Sequence, residues 1–404
     1  MWIKKLFNKN TIGYLSLNYV NTFLNVLLNL ILIKNLSAYN FGKVSIGKTI
    51  FQSFEFSHIG IRYGFDRFFP HQKNKNNLIE MFSVGILSTA IFSFAFVCFW
   101  FIYEDENRLF YLYFSVSGFL YSIIMLYRIY YRSQEEKKDF VNISIYSILL
   151  PTISQLIGFY FYNITGLVVS FFLSYILVIL IIAKKYSIKI VWLPHKNIPI
   201  FKKLINKGIL LFFTSLLAFF SSSGDRFFIA EYWGLEAVGI FSIVMFFFSI
   251  FSMFSVNYTE MIMNKIIVSR SLKFSAKHMA FLFCVISLLC FIAYLVIPFL
   301  VLYFIPLYTK QIPFINIILL AVVPFSVKSI LNYYLMAIDK RTTIFLVELL
   351  ITLLYFAGLI YSLKYTQSLL NIMYLKVCFY FSGTALTLFF AIIYSYRKNK
   401  FSTA

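Results

Sequence analysis

Histidine and cysteine are too few and too scattered in this sequence to build a metal or nucleophile site. His58, His71, His195 and His278 show no ligand spacing. Cys98, Cys284, Cys290 and Cys378 all lie in apolar runs, where a thiol is expected to act as a small buried hydrophobe rather than as half of a disulfide. The chain has no Walker A sequence and no Gly-x-Ser-x-Gly, which excludes nucleotide hydrolysis and serine hydrolysis by those routes. It also has no long polar segment, so there is no room for a soluble catalytic domain. The short loops argue against a membrane glycosyltransferase or polymerase, and the chain is expected not to be an enzyme. Acids are scarce as well: 15 Asp and Glu stand against 36 Lys and Arg, for a net charge of +21. In a soluble protein that imbalance would point to nucleic acid. The placement of the charges points to a membrane instead, and no nucleic-acid partner is expected.

Apolar residues fill the space that charge leaves. Of 404 residues 61% are hydrophobic, against about 45–50% in an average soluble domain. About twelve stretches are long enough to span a bilayer, near 13–33, 44–64, 81–101, 109–129, 141–161, 165–183, 208–226, 237–257, 279–301, 313–336, 343–363 and 372–394. About three quarters of the Lys and Arg residues fall at the termini and after the even-numbered stretches, while the loop Glu104-Asp-Glu-Asn-Arg on the other side is acidic. Both termini are therefore expected in the cytoplasm. The N-terminal Met-Trp-Ile-Lys-Lys resembles the start of a signal peptide, but the apolar run after it is too long and lacks a small-x-small cleavage site, so a retained first span is expected. The fold class is all-α and polytopic: two six-helix lobes, residues 1–190 and 208–404, joined by a basic cytoplasmic linker at 191–207 that drapes on the membrane surface. The lobes carry a faint repeat, with Gly13 and Phe41-Gly42 in the first matched by Gly208 and Val238-Gly239 in the second. An even number of spans per lobe makes the repeat a parallel one.

The functional candidates are the polar residues that interrupt this apolar pattern. Lys48, Gln52, Glu55, Arg62 and Asp66 fall on one face of a continuous helix, with Glu55 near the middle of its span. An ionisable group at that depth costs at least ~2.5–3.5 kcal/mol, which favours a wet pathway over a lipid-facing surface. Lys48 can alternatively snorkel to the interface, and Arg62, Asp66 and Arg67 can pair with one another. Asn18, Asn21, Asn25 and Asn29 form a second stripe, either bonding to neighbouring helices or lining a cavity for hydroxyl-rich cargo. Asp225, Arg226, Lys328 and Glu348 are further intramembrane charges, with a kink expected at Pro324. Each of these four can also serve as an interfacial anchor. Arg and Lys suit phosphate; Glu55, Asp66, Asp225 and Glu348 are candidates to bind a coupling ion, H⁺ or Na⁺. No other cofactor is expected.

Three segments carry a resemblance. Lys34-Asn-Leu-Ser-Ala-Tyr-Asn-Phe-Gly42 resembles the Arg/Lys-x-Leu-x-x-x-x-Phe/Tyr-Gly signature of Wzx-type polysaccharide flippases. Ser57-His-Ile-Gly60-Ile-Arg62-Tyr-Gly is similar to their Asp-x-Gly turn, and Gly224-Asp225-Arg226-Phe227…Val238-Gly239-Ile-Phe241-Ser242 to their Asp-Arg-Phe…Val-Gly-Ile-Tyr-Ser pattern. Ser57 stands where that family often has an acid. The wider superfamily also holds multidrug antiporters and the lipid II flippase. The resemblance implies a flippase of the bacterial inner membrane that moves undecaprenyl-pyrophosphate-linked oligosaccharide outward by alternating access, for O-antigen, capsule or exopolysaccharide assembly. It implies lipid-linked oligosaccharide and membrane lipid as partners, together with other assembly proteins such as a polymerase or chain-length regulator. On that resemblance Arg62, Arg226, Lys48 and Lys328 hold the pyrophosphate. A multidrug or cation antiporter, with Glu55 as its acid, is the alternative.

Overall fold

The computed structural model describes residues 9–68, 75–103, 107–133, 137–186, 188 and 194–402. It is built of helices throughout. Eight helical segments among the described residues are long and apolar enough to cross a membrane, and Val20–Asn35 is a shorter apolar helix. Two of the eight hold two expected spans each. The run Lys137–Lys185 breaks at Tyr162 and at Asn163, whose φ is 52°. Gly158 there lies against the Gly166 carbonyl and the Ser170 hydroxyl. In a straight helix residues 158 and 166 would be about 12 Å apart, so the chain doubles back as a hairpin. The other, Ile198–Met263, is interrupted at Gly234, with φ 79°.

The chain divides into two compact units, residues 1–32 with 46–212 and residues 33–45 with 213–404. In the first, helix α1 (Lys9–Asn35) contributes its residues up to 32, and α2 (Ala38–Ser53) those from 46. Then come α3 (Ile61–Phe68), α4 (Lys75–Tyr103), α5 (Arg108–Ser133), the hairpin α6 (Lys137–Lys185) and most of α7 (Pro194–Phe219). Its core joins Ile61 and Phe65 of α3 to Phe82 of α4, Leu126 and Tyr130 of α5, and Leu204 of α7. Leu204 lies in the segment read as a surface linker. That segment is helical from Pro194, since proline suits a first helical position. Its Ile200, Phe201, Leu204 and Ile205 pack inward while Lys202, Lys203 and Lys207 stay exposed. The amphipathic spacing explains the difference: one face was apolar enough to join the core.

The second expected span is not one helix. Helix α2 stops at Ser53, a 3₁₀ turn follows at Phe54–Phe56, and α3 starts at Ile61. Ile59 and Gly60 between them have φ of 40° and 85°. Gly60 turns there because a Cβ would be strained at that φ and would press on the backbone of Gly208 and Ile209, 3.1–3.3 Å away. A single polar face from Lys48 to Asp66 therefore does not exist: Lys48 lies on α2, Glu55 in the 3₁₀ turn, and Arg62 and Asp66 on α3.

In the second unit α8 (Asp225–Ser269) is followed by α9 (Leu272–Phe304), α10 (Ile312–Leu319), α11 (Val322–Ala337), α12 (Arg341–Tyr361) and α13 (Leu369–Ser402). Ser271 caps α9 by accepting from the Phe274 N–H at 3.3 Å. The tenth expected span divides into α10 and α11, and Pro324 sits in the first turn of α11 rather than at a mid-helix kink. The chain solves the missing proline N–H by restarting the helix. All four cysteines are free thiols, but Cys284 and Cys378 are exposed and Cys98 and Cys290 only half-buried. Their helices turn other large apolar residues outward too, such as Phe281, Phe283, Leu288 and Phe291. Such a surface is at ease in lipid and not in water.

Gly42 lies against the Leu235 carbonyl and Gly239 against the Ala38 carbonyl, all within this second unit. Each glycine meets the carbonyl four residues before the other. Such reciprocity is the mark of a local two-fold relation, and these are the two glycines that carry the sequence repeat. Gly42→Val or Gly239→Val is expected to force this crossing apart, at about 1–3 kcal/mol. The check is the unfolding midpoint in detergent, which should fall for either variant by a similar amount.

Candidate functional site

Each unit holds its own polar cluster. In the first, α1 presents Asn21, Asn25 and Asn29 at successive turns. Asn25 Nδ2 donates to the Asn21 carbonyl and side-chain oxygens, both at 3.0 Å, and Asn29 Nδ2 donates to the Asn25 carbonyl at 2.9 Å. The ladder is thus satisfied mainly along its own helix. It reaches other helices at two points: Lys48 Nζ donates to Asn29 Oδ1 at 3.0 Å, and the Thr152 hydroxyl donates to Asn21 Oδ1 at 3.4 Å. Lys48 therefore uses its ammonium on an amide oxygen. The side chains of Asn18 and Asp66 lie outside the described residues.

The broken second span places the other charges. Seven residues of continuous helix would hold Glu55 and Arg62 about 10 Å apart along the axis. The 3₁₀ turn and the left-handed pair Ile59–Gly60 fold the chain back, and Arg62 Nη1 donates to Glu55 Oε1 in an ion pair. Arg62 is the more enclosed partner, with 19% of its side chain exposed against 43% for Glu55. Both line a small pocket with His58 and with Ser122, Met125 and Leu126 of α5. Next to it three buried hydroxyls join the helices: Ser93 donates to Ser57 at 2.7 Å and lies 2.9 Å from Ser122. Ser57, which stands where an acid is often found in the resembled family, is here a fully buried link in that chain.

In the second unit the π-helical turn Phe220–Gly224 precedes Asp225. Such turns leave carbonyls without their usual i+4 donor and recur at functional sites. The carbonyl of Ser221, in this turn, accepts from Lys376 Nζ at 2.7 Å, and the same ammonium pairs with Asp225 Oδ2. Tyr355 donates its hydroxyl to that oxygen at 2.9 Å. Both ion-pair side chains are wholly buried. The Lys376 ammonium also faces the rings of Tyr355 and Phe241, at 5.1 and 5.6 Å from their centroids. Arg226 points elsewhere: Nε donates to the Ser242 hydroxyl at 3.0 Å and Nη1 to the Ser223 carbonyl at 3.4 Å.

Lys328 and Glu348, from α11 and α12, form a second buried pair at 2.7 Å. Thr384 of α13 donates to the Pro324 carbonyl at 2.7 Å beside it. Of the residues singled out from the sequence, the structure thus brings together Glu55 with Arg62, Lys48 with Asn29, and Lys328 with Glu348. Lys376, Tyr355 and His58 were missed. Lys376 carried a signal, a lone charge inside an apolar span, of the kind that drew attention to Lys328.

Among the described residues no group of three or more His, Cys, Asp or Glu side chains can hold a metal ion. Residues 7–263 match the family described as "Polysaccharide biosynthesis protein". None of the curated proteins matches the sequence significantly. Among solved structures, a multidrug resistance MATE family transporter of the MOP superfamily in its inward-facing conformation is similar with a TM-score of 0.73 at 12% identity, over 94% of this chain and 96% of that one. Its outward-facing conformation gives 0.66 at 11% identity, over 98% of each chain. The lipid II flippase MurJ, inward closed, gives 0.67 at 14% identity, over 93% of this chain and 86% of that one. At these identities the likeness is one of fold.

Proposed function

This chain belongs to the polysaccharide biosynthesis protein family, and on that premise we propose that it is a flippase for a lipid-linked oligosaccharide of the bacterial inner membrane. The observation that carries the reading is the Arg62 guanidinium, set among membrane-spanning helices beside a pocket. A guanidinium so enclosed by protein is costly, and a diphosphate is a ligand that its planar fork suits. The similarity of fold to the lipid II flippase supports the same cargo class. Lys48 and Arg226, whose charges are met by amide, hydroxyl and carbonyl oxygens, are the further phosphate candidates. Lys328 is a weaker one, because Glu348 neutralises it.

The reading includes twelve spans, cytoplasmic termini and two six-helix lobes divided near 191–207. The double spans in Lys137–Lys185 and in the run Ile198–Met263, and the reciprocal crossing of Gly42 and Gly239, support it. Transport proceeds by alternating access, coupled to H⁺ or Na⁺, with Asp225 the best placed acid because it is buried and one of its oxygens, Oδ1, has no partner. Polymerase and chain-length regulator proteins are the expected neighbours in assembly.

The test is deletion of the gene in its host. The lipid-linked unit should accumulate on the cytoplasmic leaflet and the surface polymer should disappear. A plasmid copy should restore both, and Arg62→Ala should not, with flux at least tenfold lower. Unchanged surface glycan with raised sensitivity to cationic drugs would instead identify a multidrug antiporter.

A further inference from the structure

The pocket beside Glu55 is polar in an unbalanced way. His58 is only 5% exposed. Its Nδ1 accepts the Gly60 N–H at 3.0 Å. In the neutral ring that bond leaves the proton on Nε2. Nε2 is buried and has no hydrogen-bond partner, and neither has Nε of Arg62. A buried donor without a partner costs about 1–3 kcal/mol, and here two belong to residues that line one pocket. The neighbouring hydroxyls do not relieve them. Ser57 donates to the Phe54 carbonyl at 2.8 Å, Ser122 to the Phe119 carbonyl at 2.7 Å, and Ser93 joins the two.

The acceptor in the pocket is the Glu55 carboxylate, and it satisfies Nη1 of Arg62. Its side chain is 43% exposed, while Arg62 and His58 are held by the turn. A carboxylate offers a guanidinium the same pair of oxygens that a phosphate does. The open partner of the pair is therefore the acid, and the enclosed partners are the donors.

We propose that Arg62 and His58 form a seat for a phosphate oxyanion and that Glu55 is its built-in competitor, occupying Arg62 until the anion displaces it. The chemistry is that of a phosphate or diphosphate group, with His58 Nε2–H and Arg62 Nε–H as the donors that gain a partner on binding. This deepens the proposed function by assigning Glu55 a gating part at the cargo site in place of ion coupling. It rests on that reading for the source of the phosphate, but not for the existence of the seat.

The experiment uses the full chain in zwitterionic nanodiscs, with inorganic pyrophosphate as the probe and calorimetry as the readout. Glu55→Gln keeps the shape and removes the competing charge, so pyrophosphate should bind about tenfold tighter than to the parent chain. His58→Asn keeps an oxygen that can accept the Gly60 N–H but lacks the distal donor. It should weaken binding about tenfold in the Glu55→Gln background. Arg62→Ala should abolish binding. Equal or weaker binding by Glu55→Gln overturns the competitor role, and an unaltered affinity in His58→Asn overturns the seat. A long-chain prenyl pyrophosphate placed in the nanodisc separates the sources: if it displaces the probe the natural ligand is lipid-borne, and if it does not the seat takes a soluble phosphate. Neither result depends on surface glycan, so the seat can stand where the gene deletion refutes the flippase reading.

Discussion

Lys376→Met is expected to cost about 3–5 kcal/mol of stability. Lys376 and Asp225 are both fully buried, 151 residues apart in sequence, and bonded to each other. Removing the ammonium strands a carboxylate whose Oδ1 already lacks a partner and takes a donor from the Ser221 carbonyl at the π-helical turn. Only the Tyr355 hydroxyl would remain to it. The double variant Asp225→Asn/Lys376→Met removes both charges and should recover most of the loss, since two neutral groups pack in lipid-like surroundings without the desolvation penalty. Unfolding midpoints in denaturing detergent for the two single variants and the double variant give the coupling energy. A double variant as unstable as Lys376→Met alone would mean that the loss comes from packing around Tyr355 and Phe241, not from the stranded charge.

Glu348→Leu is expected to be next in effect, again about 3–5 kcal/mol by the same reasoning. Its partner Lys328 is 8% exposed at the side chain and Glu348 7%, so water reaches neither freely. Lys328 would be left facing the Phe379 ring, 5.5 Å from its centroid, which offers a weak substitute. The exchanged pair Lys328→Glu/Glu348→Lys should restore much of the stability if attraction is what matters. Transport is the discriminating readout. A flux restored along with stability makes the pair a helix clamp between α11 and α12. A stable but inactive exchanged protein makes the position of the ammonium itself important for cargo.

The charges inside the spans were legible one at a time, and their partnerships were not. Glu55, Arg62, Lys48, Asp225, Lys328 and Glu348 all stood out because each interrupts an apolar run. Reading them on a single helical face went wrong at one place. Phe54 to Gly60 has no proline and only one glycine, so composition gave no reason to break the helix. The break depends on Ile59 adopting φ of 40° and on Gly208 lying against Gly60. Pro324 misled in the opposite direction: it announced a kink where the chain begins a new helix. Asn21, Asn25 and Asn29 do follow one another along α1, yet most of their bonds run along that helix, a choice that spacing does not reveal.

Apolar composition and the scarcity of acids settle that the chain is a multi-pass membrane protein, because burying this much hydrocarbon leaves no soluble alternative. Sequence pattern also reaches its family, through short motifs around Gly42 and Asp225, although overall identity to the solved folds is as low as 11%. Which charge meets which is decided only by tertiary structure. Lys376 finds Asp225 across 151 residues, and Arg62 turns back onto Glu55 across seven. In a bilayer every span must be apolar whatever its neighbours, so local sequence records it. An ion pair is set by the distance between two points on different helices, and no local sequence holds that distance.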